Sequence, residues 1–338
     1  MGALLVASCG DASLPATVTS RAAITGGTPT SVDLGVAALV QGGTLICTAT
    51  LVAPRVLLTA AHCVPDGALP DAFFGSAPAS GGAQLHVLAV LRDPSFDPAT
   101  LSDDIAMALL DDEAPAGATP WPLPPAPPTA GLAIRLVGFG RTAPADTTAP
   151  EKRVGTASIA SVSASAFEFS PSPSQTCTGD SGGPAFATFA GVEAIVGVTS
   201  SGDPGCAQSA TDVRVDAYAS FIAPWLAATA EGAAGPGDRC WYDANCAATG
   251  GACTAALDDA TLSFCAPACG ASNSCPTGLQ CLADSAGNGL CRHPAPSPGA
   301  PGAACSDDSD CADGSCLAPS AGGGRVCAVE CFPDLPGF

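Results

Sequence analysis

Residues 178–184 read TGDSGGP and combine a hydroxyl nucleophile with residues that favour a tight loop. Ser181 follows Asp180 and is surrounded by three glycines, which lack the Cβ atom that restricts backbone angles. Such a loop can direct the backbone N–H groups of Gly179 and Ser181 at one point, where they would stabilise a carbonyl oxygen that gains negative charge. The segment therefore predicts a nucleophile, Ser181, beside an oxyanion hole formed by Gly179 and Ser181.

A serine hydroxyl is a weak nucleophile until an adjacent base accepts its proton. The chain offers three histidines: His62 in TAAHC, His86 among the apolar residues of QLHVLAV, and His293 in the proline-rich RHPAPSP. We identify His62, which lies next to a cysteine, as the base. Asp104 begins the apolar run DIAMALL, which would bury its carboxylate and let it orient the imidazole. Asp103 is the less favoured neighbour.

The order His62, Asp104, Ser181 is the order of the catalytic residues in chymotrypsin. Residues 24 to about 230 resemble the chymotrypsin-like (trypsin-fold) serine protease family in further motifs, which also follow in the family's order. These motifs are ITGG at 24–27, LICTATLVAPRVLLTAAHC at 45–63, DPSFDP at 93–98, DDIAMALL at 103–110, VGFGRT at 137–142, TCTGDSGGP at 176–184 and VGVTSSG at 196–202.

The resemblance implies an all-β fold of two six-stranded antiparallel β-barrels with a C-terminal helix, followed here by small disulfide-rich modules. His62 and Asp104 would come from the first barrel and Ser181 from the second, so that the three residues meet in the cleft between them. The implied activity is that of a serine endopeptidase, which hydrolyses peptide bonds of protein or peptide substrates through an acyl-enzyme. We expect no metal ion or other cofactor.

A second hypothesis comes from a different class of protein. The chain would then be a catalytically silent binding or adhesion protein that keeps the protease fold and acts through its cysteine-rich tail. The presence of all three candidate catalytic residues favours the enzyme.

The overall charge excludes some partners. The chain has 11 basic and 31 acidic residues, a formal net charge of −20, and Lys152 is its single lysine. Because no basic patch is available to hold phosphates, we expect no binding to nucleic acid. No apolar run reaches the ~18 residues that a membrane-spanning helix needs.

Eighteen cysteines indicate an oxidising compartment, so we expect an exported protein that is extracellular or on the cell surface. The first residues, MGALLVASCGD, lack the basic region of a secretory signal. The run VASC resembles the lipobox of bacterial lipoproteins, in which Cys9 would carry a lipid anchor. A truncated secretory signal or an unpaired Cys9 is the alternative interpretation.

Residues 1–23 are predicted to be a signal and propeptide region, and the protein a zymogen. In the family, cleavage frees an aliphatic N-terminus that folds inward and pairs with the acid before the nucleophile, and Ile24 and Asp180 match this activation pair. Ile24 follows Ala23, whereas a cut after Arg21 would leave two extra residues before the ammonium group. We predict cleavage after Ala23, either by an activating protease that prefers small residues or by the protein itself.

Short apolar runs broken by Gly, Pro and Asp predict the β-strands. The proline-rich PWPLPPAPP at 120–128 suits a surface strap between the barrels, because proline weakens a sheet interior. Asp216 is predicted to cap the closing helix. The predicted strands are 36–40, 45–52, 55–59, 84–91 and 105–110 in the first barrel, and 134–138, 154–162, 167–170, 184–189, 192–200 and 213–215 in the second.

The resemblance also implies two disulfides in the protease domain. Cys47 with Cys63 would fix the loop that carries His62, and Cys177 with Cys206 would hold the Ser181 loop against the edge where substrate pairs.

The same resemblance suggests which residues form the specificity pocket. Gln175 stands six residues before the nucleophile, where trypsin-like members carry an acid, so a basic side chain would find no buried partner. Ser200 and Gly202 would line the pocket, with Gly202 leaving its mouth open, and Ala210 would narrow its back wall. We expect small or medium uncharged residues before the scissile bond.

The tail after residue 230 contains 13 cysteines. Cys240, Cys246, Cys253, Cys265 and Cys269 recur with shifts of 65, 65, 63, 62 and 62 residues, which indicates an internal repeat. The absence of C-x2-C pairs favours disulfides over zinc, with a connectivity that spacing cannot determine. The tail would be either a spacer or a module that binds a surface ligand.

We place the domain boundaries from these composition changes. The second cysteine-rich module lacks the last three cysteines of the first, so we expect it to be truncated and to hold an unpaired thiol. The predicted units are the protease domain at 24–230, a linker at 231–239, cysteine-rich module 1 at 240–293, a linker at 294–304 and cysteine-rich module 2 at 305–338.

Overall fold

The computed structural model describes most of the chain from Ile24 onward. The predicted lipid site at Cys9, the predicted cleavage site after Ala23 and the last cysteine, Cys331, lie outside the described residues. The described residues are 24–65, 68–148, 150–171, 173–249, 251–256, 262–270, 275–284, 286–294, 303, 305–306, 310–311, 315–317 and 325–328.

The first barrel is closed by six antiparallel strands in the order β2-β3-β4-β7-β6-β5. Strands β4 and β7 lie side by side at its centre and are completely buried, which explains their uninterrupted apolar sequences VLLT and AMALL. The strands of this part are β1 (Thr28–Pro29), β2 (Val36–Gln41), β3 (Thr44–Ala53), β4 (Val56–Thr59), β5 (Asp71–Phe74), β6 (Ala83–Arg92) and β7 (Ala106–Leu110).

The second barrel also has six antiparallel strands, and β1 adds to its edge at β9. Strand β8 pairs with both β9 and β11 and thereby closes the barrel. The predicted fold of two six-stranded barrels is confirmed. The strands are β8 (Ala133–Gly138), β9 (Arg153–Val162), β10 (Ala166–Pro171), β11 (Pro184–Phe189), β12 (Val192–Gly202) and β13 (Ala210–Arg214).

The proline-rich segment between the barrels contains no strand and holds them together through Trp121. The backbone N–H of Trp121 donates to the carbonyl of Leu51 in β3 (2.8 Å), and its ring lies 4.1 Å from that of Phe186 in β11. The segment therefore contacts both barrels, which keeps the cleft between them in a fixed geometry.

The two-barrel part of the chain closes with one turn of 3-10 helix at Val215–Tyr218 and the helix α1 at Ala219–Ala228. The prediction that Asp216 caps this helix is wrong. Its carboxylate binds the guanidinium group of Arg214 (2.6 Å), and α1 begins after Tyr218 without a side-chain cap. Across the described residues, no helix combines the length and apolar character needed to cross a membrane.

The described part of the tail consists of three repeats of a unit with four cysteines and one β-hairpin. In each, the first cysteine is bridged to the third and the second to the fourth. We call them unit 1 (240–265), unit 2 (269–291) and unit 3 (305–327). Their hairpins are β14 (Ala252–Ala255) with β15 (Ser263–Ala266), β16 (Gln280–Ala283) with β17 (Gly289–Arg292), and β18 (Ser315–Leu317) with β19 (Val326–Ala328).

Candidate active site

His62 and Asp104 are in direct contact. His62 lies in a short 3-10 turn directly after β4, and Asp104 lies just before β7, the neighbour of β4 in the barrel. The Nδ1 atom of His62 is 2.7 Å from Oδ2 of Asp104, and the backbone N–H of His62 donates to Oδ1 (2.9 Å). Because Asp104 is fully buried and its imidazole partner is 29% exposed, the histidine faces the cleft with its orientation fixed from behind.

Asp104 accepts one more hydrogen bond, which the sequence analysis did not anticipate. The hydroxyl group of Ser200 in β12 donates to Oδ2 of Asp104 (2.7 Å). Ser200 was expected to line the specificity pocket, and the structure gives it this contact with the second residue of the candidate triad. The acid from the first barrel is therefore bound by a side chain of the second barrel.

Ser181 lies in the loop between Cys177 and β11, and this loop is attached to the first barrel through Thr48 in β3. The backbone N–H of Thr48 donates to the carbonyl of Ser181 (2.8 Å), and its hydroxyl donates to the carbonyl of Gly179 (2.9 Å). Cys177 is bridged to Cys206, and Cys47, next to Thr48, is bridged to Cys63. The Ser181 loop and the His62 turn are thus held by two adjacent residues of β3.

The glycines around Ser181 are required by close packing. Gly182 has φ +78°, and a Cβ atom there would lie 2.1 Å from the hydroxyl oxygen of Thr59 and 2.3 Å from the carbonyl oxygen of Thr48. Gly179 has φ +98°, and a Cβ atom there would lie 2.9 Å from the Cα atom of Gly140. Within the described residues, the backbone N–H groups of Gly179 and Ser181 donate to no acceptor.

Asp180 points away from the cleft and into a fully buried site behind the Ser181 loop. Its carboxylate accepts the backbone N–H groups of Gly140 (2.8 Å) and Cys177 (2.9 Å), and that of Ile24. Burial raises the pKa of this carboxyl to about 7, although the three backbone donors lower it in part. Ile24 itself is completely buried, so the two residues predicted to pair on activation are in contact.

The residues predicted to form the specificity pocket lie along β12, β13 and the segment before Cys177. Gly202 and Ala210 are cross-strand partners, with Gly202 exposed and Ala210 buried. Gln175 is fully buried, and neither its amide nitrogen nor its amide oxygen has a hydrogen-bond partner in the described part of the chain.

Asp212 was missed by the sequence analysis. It lies two residues after Ala210 in β13, opposite Thr199, and is completely buried. No donor among the described residues meets its carboxylate oxygens with normal hydrogen-bond geometry. Burial raises the pKa of Asp212 to about 8, and the nearby hydroxyl of Thr199 offsets only part of that rise. The sequence did contain a signal for Asp212. In the strand sequence ATDVR, this aspartate alternates with Ala210 and therefore falls on a buried position.

An open cavity of about 470 Å³ adjoins the Ser181 loop on the side of Gly179. Its lining is mixed, with apolar side chains from Leu45 and Ile46 and charged ones from Arg141 and Glu151.

Disulfides account for the possible metal-ligand clusters. In the part of the chain that the structure describes, each group of three side chains that could share an ion contains bridged cysteines, as in Cys47, His62 and Cys63. A disulfide sulfur is not the thiolate that binds metals. The chemistry available at the site is therefore that of a hydroxyl group, an imidazole and a buried carboxylate.

The profile that describes the trypsin family matches residues 24–225, which is more than half of the chain. The chain belongs to the trypsin family. The match covers both barrels, the three candidate catalytic residues and most of helix α1, and ends before the cysteine-rich tail.

Comparisons with individual proteins agree with this assignment. Human serine protease 56 is 32% identical to this trypsin-family chain over 193 residues, which are 49% of this chain and 32% of that protein. The chain thus spans about a third of the length of this relative.

Two solved structures show the same fold. Neuropsin, a serine protease expressed in the limbic system of mouse brain, superimposes with a TM-score of 0.54 at 24% identity, over 60% of this chain and 100% of neuropsin. Human heparin binding protein superimposes with a TM-score of 0.53 at 20% identity, over 60% of this chain and 96% of that protein.

Proposed function

We propose that this trypsin-family protein is an exported serine endopeptidase. In the proposed reaction, the hydroxyl of Ser181 attacks the peptide carbonyl, and its proton passes to His62, which then protonates the leaving amine. Water enters, His62 accepts a proton from it, and hydrolysis of the acyl-enzyme releases the second product. Asp104 keeps the imidazole oriented and stabilises its charged form throughout.

The single observation that carries this proposal is the contact of Nδ1 of His62 with the buried carboxylate of Asp104 (2.7 Å). This contact requires the proton of the neutral imidazole on Nδ1 and leaves Nε2 free to accept a proton from the nucleophile. The N–H groups of Gly179 and Ser181, which donate to no acceptor in the described residues, add to the support, because preorganised donors beside the nucleophile would stabilise a developing oxyanion.

We further propose that the protein is made as a zymogen and activated by cleavage between Ala23 and Ile24. Cleavage would convert the backbone N–H at Ile24 into an ammonium group beside Asp180, which already accepts a hydrogen bond from this nitrogen. An ammonium group favours the ionised carboxylate over the neutral acid, so the pair would stabilise the loop that contains Gly179 and Ser181. An activating protease specific for small residues, or the protein itself, would make the cut.

For the substrate, we propose small or medium uncharged residues before the scissile bond. Gln175 offers an uncharged amide, and Ala210, which packs opposite Gly202, narrows the pocket.

Export follows from the disulfides. The described residues contain eight, spread over the protease part and the tail, and such bridges persist in oxidising compartments. We propose an extracellular or cell-surface protein, anchored through a lipid at Cys9. A Cys9→Ser variant should then leave the membrane fraction.

The alternative function, binding without catalysis, receives less support. Heparin binding protein shares the fold, but heparin is a polyanion, and a chain with 11 basic and 31 acidic residues would repel it. The contact between His62 and the buried carboxylate of Asp104 supports the enzyme over the silent binding protein.

Peptide hydrolysis tests the proposal. The purified chain is cut with an elastase-like protease until mass spectrometry shows Ile24 at the N-terminus, the protease is removed, and cleavage of a peptide library is measured. We expect activity only after the cut, abolished by Ser181→Ala and unchanged by Ser158→Ala on the exposed face of β9. Equal activity of both variants, or a folded chain with Ile24 at its N-terminus and no activity, would contradict the proposal.

A further inference from the structure

Unit 1 of the tail binds the C-terminal end of helix α1. The side-chain amide of Asn245 donates to the carbonyls of Ala228 (3.0 Å) and Ala230 (2.7 Å), and the hydroxyl of Tyr242 donates to the carbonyl of Thr229 (2.6 Å). The last carbonyls of a helix have no partner within the helix. Asn245 is completely buried, so unit 1 supplies these partners from a tightly packed position.

The same face of unit 1 also contacts the first barrel. The ring of Tyr242 lies under the guanidinium group of Arg55 (4.5 Å), which donates to the carbonyl of Asp111 (2.8 Å). Trp241 packs edge-on against Trp225 of α1, with ring centroids 5.3 Å apart. Unit 1 therefore connects the helix to the turn that begins β4, the strand that leads to the candidate base.

The residues that make these contacts occur only in the first copy of the repeat. The disulfide framework of the units does not require Trp241, Tyr242 or Asn245, because the other units keep the same bridges without them. Counted from the first cysteine of each unit, the corresponding residues are Gly270, Ala271 and Ser274 in unit 2, and Ser306, Asp307 and Asp310 in unit 3.

The other end of α1 is tied to the segment that presents the candidate catalytic acid. Tyr218, the residue before the helix, donates its hydroxyl proton to the carboxylate of Asp103. Asp103 has φ +54°, in the left-handed region that a residue with a side chain occupies at a cost, and it directly precedes Asp104. The hydrogen bond from Tyr218 helps to hold this conformation, and with it the position of Asp104.

We propose that unit 1 is a clamp that positions Asp104 through helix α1. By binding the end of the helix with Asn245 and Tyr242, unit 1 keeps Tyr218 against Asp103 and thereby keeps Asp104 aligned with His62. The inference that this clamp supports catalysis rests on the proposed function. Asn245, Tyr242, Tyr218 and Asp103 are positioning residues, since none of them reaches the reacting atoms.

If unit 1 acts as this clamp, a substitution in unit 1 should loosen the backbone around Asp103 and Asp104. In the full-length chain, Asn245→Ala should raise hydrogen exchange at the amides of Leu101 and Ile105, which are bonded to the carbonyls of Asp97 and Asp103, by about 10-fold. The matched control is Asn288→Ala in unit 2, where the amide binds only the nearby Asp284 in the described residues. This measurement does not depend on activity.

Kinetics then test the link to catalysis. In the activated chain, Asn245→Ala should lower kcat about 10-fold with little change in KM, since alignment of the catalytic groups rather than substrate binding is affected. If the residues at opposite ends of α1 acted independently, their effects on the free energy of activation would add. If Asn245 acts through Tyr218, adding Asn245→Ala to Tyr218→Phe should cause no further loss.

The outcomes are distinguishable. If Asn245→Ala unfolds the chain, Tyr242→Phe provides the milder test, because it removes the bond to Thr229 and keeps the ring under Arg55. Unchanged exchange at 101–105 in a folded clamp variant, or additive losses in the double variant, would overturn the clamp. A wild-type chain without hydrolytic activity would instead overturn the proposed function, and the exchange measurement would still decide whether the clamp exists.

Discussion

The hydroxyl of Ser200 in the second barrel donates a 2.7 Å hydrogen bond to Asp104 of the first barrel, on the carboxylate oxygen that also contacts His62. This arrangement keeps a fully buried carboxylate satisfied while its imidazole partner remains open to the cleft. The cleft geometry therefore depends on a bond that crosses between the barrels.

Removing this bond should weaken catalysis without abolishing it. We expect Ser200→Ala to lower kcat/KM about 10-fold, or about 1.4 kcal/mol, because a hydrogen bond to a buried carboxylate is lost while the contact with His62 remains. Ser201→Ala, at the half-exposed neighbour, is the control. Equal kcat/KM for both variants would show that Ser200 does not support Asp104.

The glycine after the nucleophile should tolerate no side chain. Gly182→Ala places a methyl group against Thr59 and Thr48, and we expect it to destabilise the fold by about 3 kcal/mol or more and to abolish activity. Gly191 has φ +85°, but a Cβ atom there would meet no other atom, so Gly191→Ala measures the backbone strain alone. We expect it to lower the free energy of unfolding by only about 1 kcal/mol. Thermal unfolding compares them, and similar losses would mean that the packing around Gly182 is not the cause.

Asp212 should make stability fall as the pH rises. An unfolded aspartate has a pKa near 3.9, so between about pH 4 and pH 8 the folded protein binds the additional proton, and unfolding becomes easier by at most about 1.4 kcal/mol per pH unit. Above pH 8 the dependence should level off. Asp212→Asn should remove its share of the slope and leave the share of Asp180, whose pKa is also raised, to about 7, whereas Asp112→Asn, at a side chain that is 72% exposed, should leave the slope unchanged. Chemical denaturation at several pH values measures this, and parallel curves for wild type and Asp212→Asn would be contrary to the account.

The position of the activating cut should matter to within one or two residues. A chain that begins at Ala22 should stay nearly inactive, because its ammonium group would lie two residues away from Asp180, whereas a chain that begins at Ile24 should be active. Asp180→Asn should leave the correctly cut chain inactive as well. N-terminal mass spectrometry with a peptide assay checks this, and full activity from the longer chain would exclude the proposed pairing.

Much of the protease fold could be predicted because its strands have strong local signals. The eleven predicted strands match observed ones in position. The missing first-barrel strand was Asp71–Phe74, a four-residue segment too short to show a pattern. Strand β13 begins at Ala210, whereas its predicted start was Val213. The prediction began too late because Asp212, whose side chain is buried, interrupts the apolar sequence.

The contacts between distant segments were not predictable in the same way. Asp216 has the right type to cap a helix, but Arg214, two residues earlier, binds its carboxylate instead. Three residues have ordinary sequence surroundings, and their contacts arise from distant partners. The partner of Ser200 is 96 residues away, that of Tyr218 is 115 residues away, and those of Asn245 are 17 and 15 residues away. The 65-residue repeat of the tail concealed the shorter four-cysteine unit, because the units differ in loop length.

The most direct test of the central claim is labelling with a fluorophosphonate, which reacts with an activated serine. After exposure of Ile24, we expect about one mole of label per mole of protein, located by mass spectrometry on the peptide that contains Ser181, and almost none before the cut. Ser181→Ala should remove the label and Ser158→Ala should not. Absence of label in a folded chain with Ile24 at its N-terminus, or label on another residue, would contradict the assignment of Ser181 as the nucleophile.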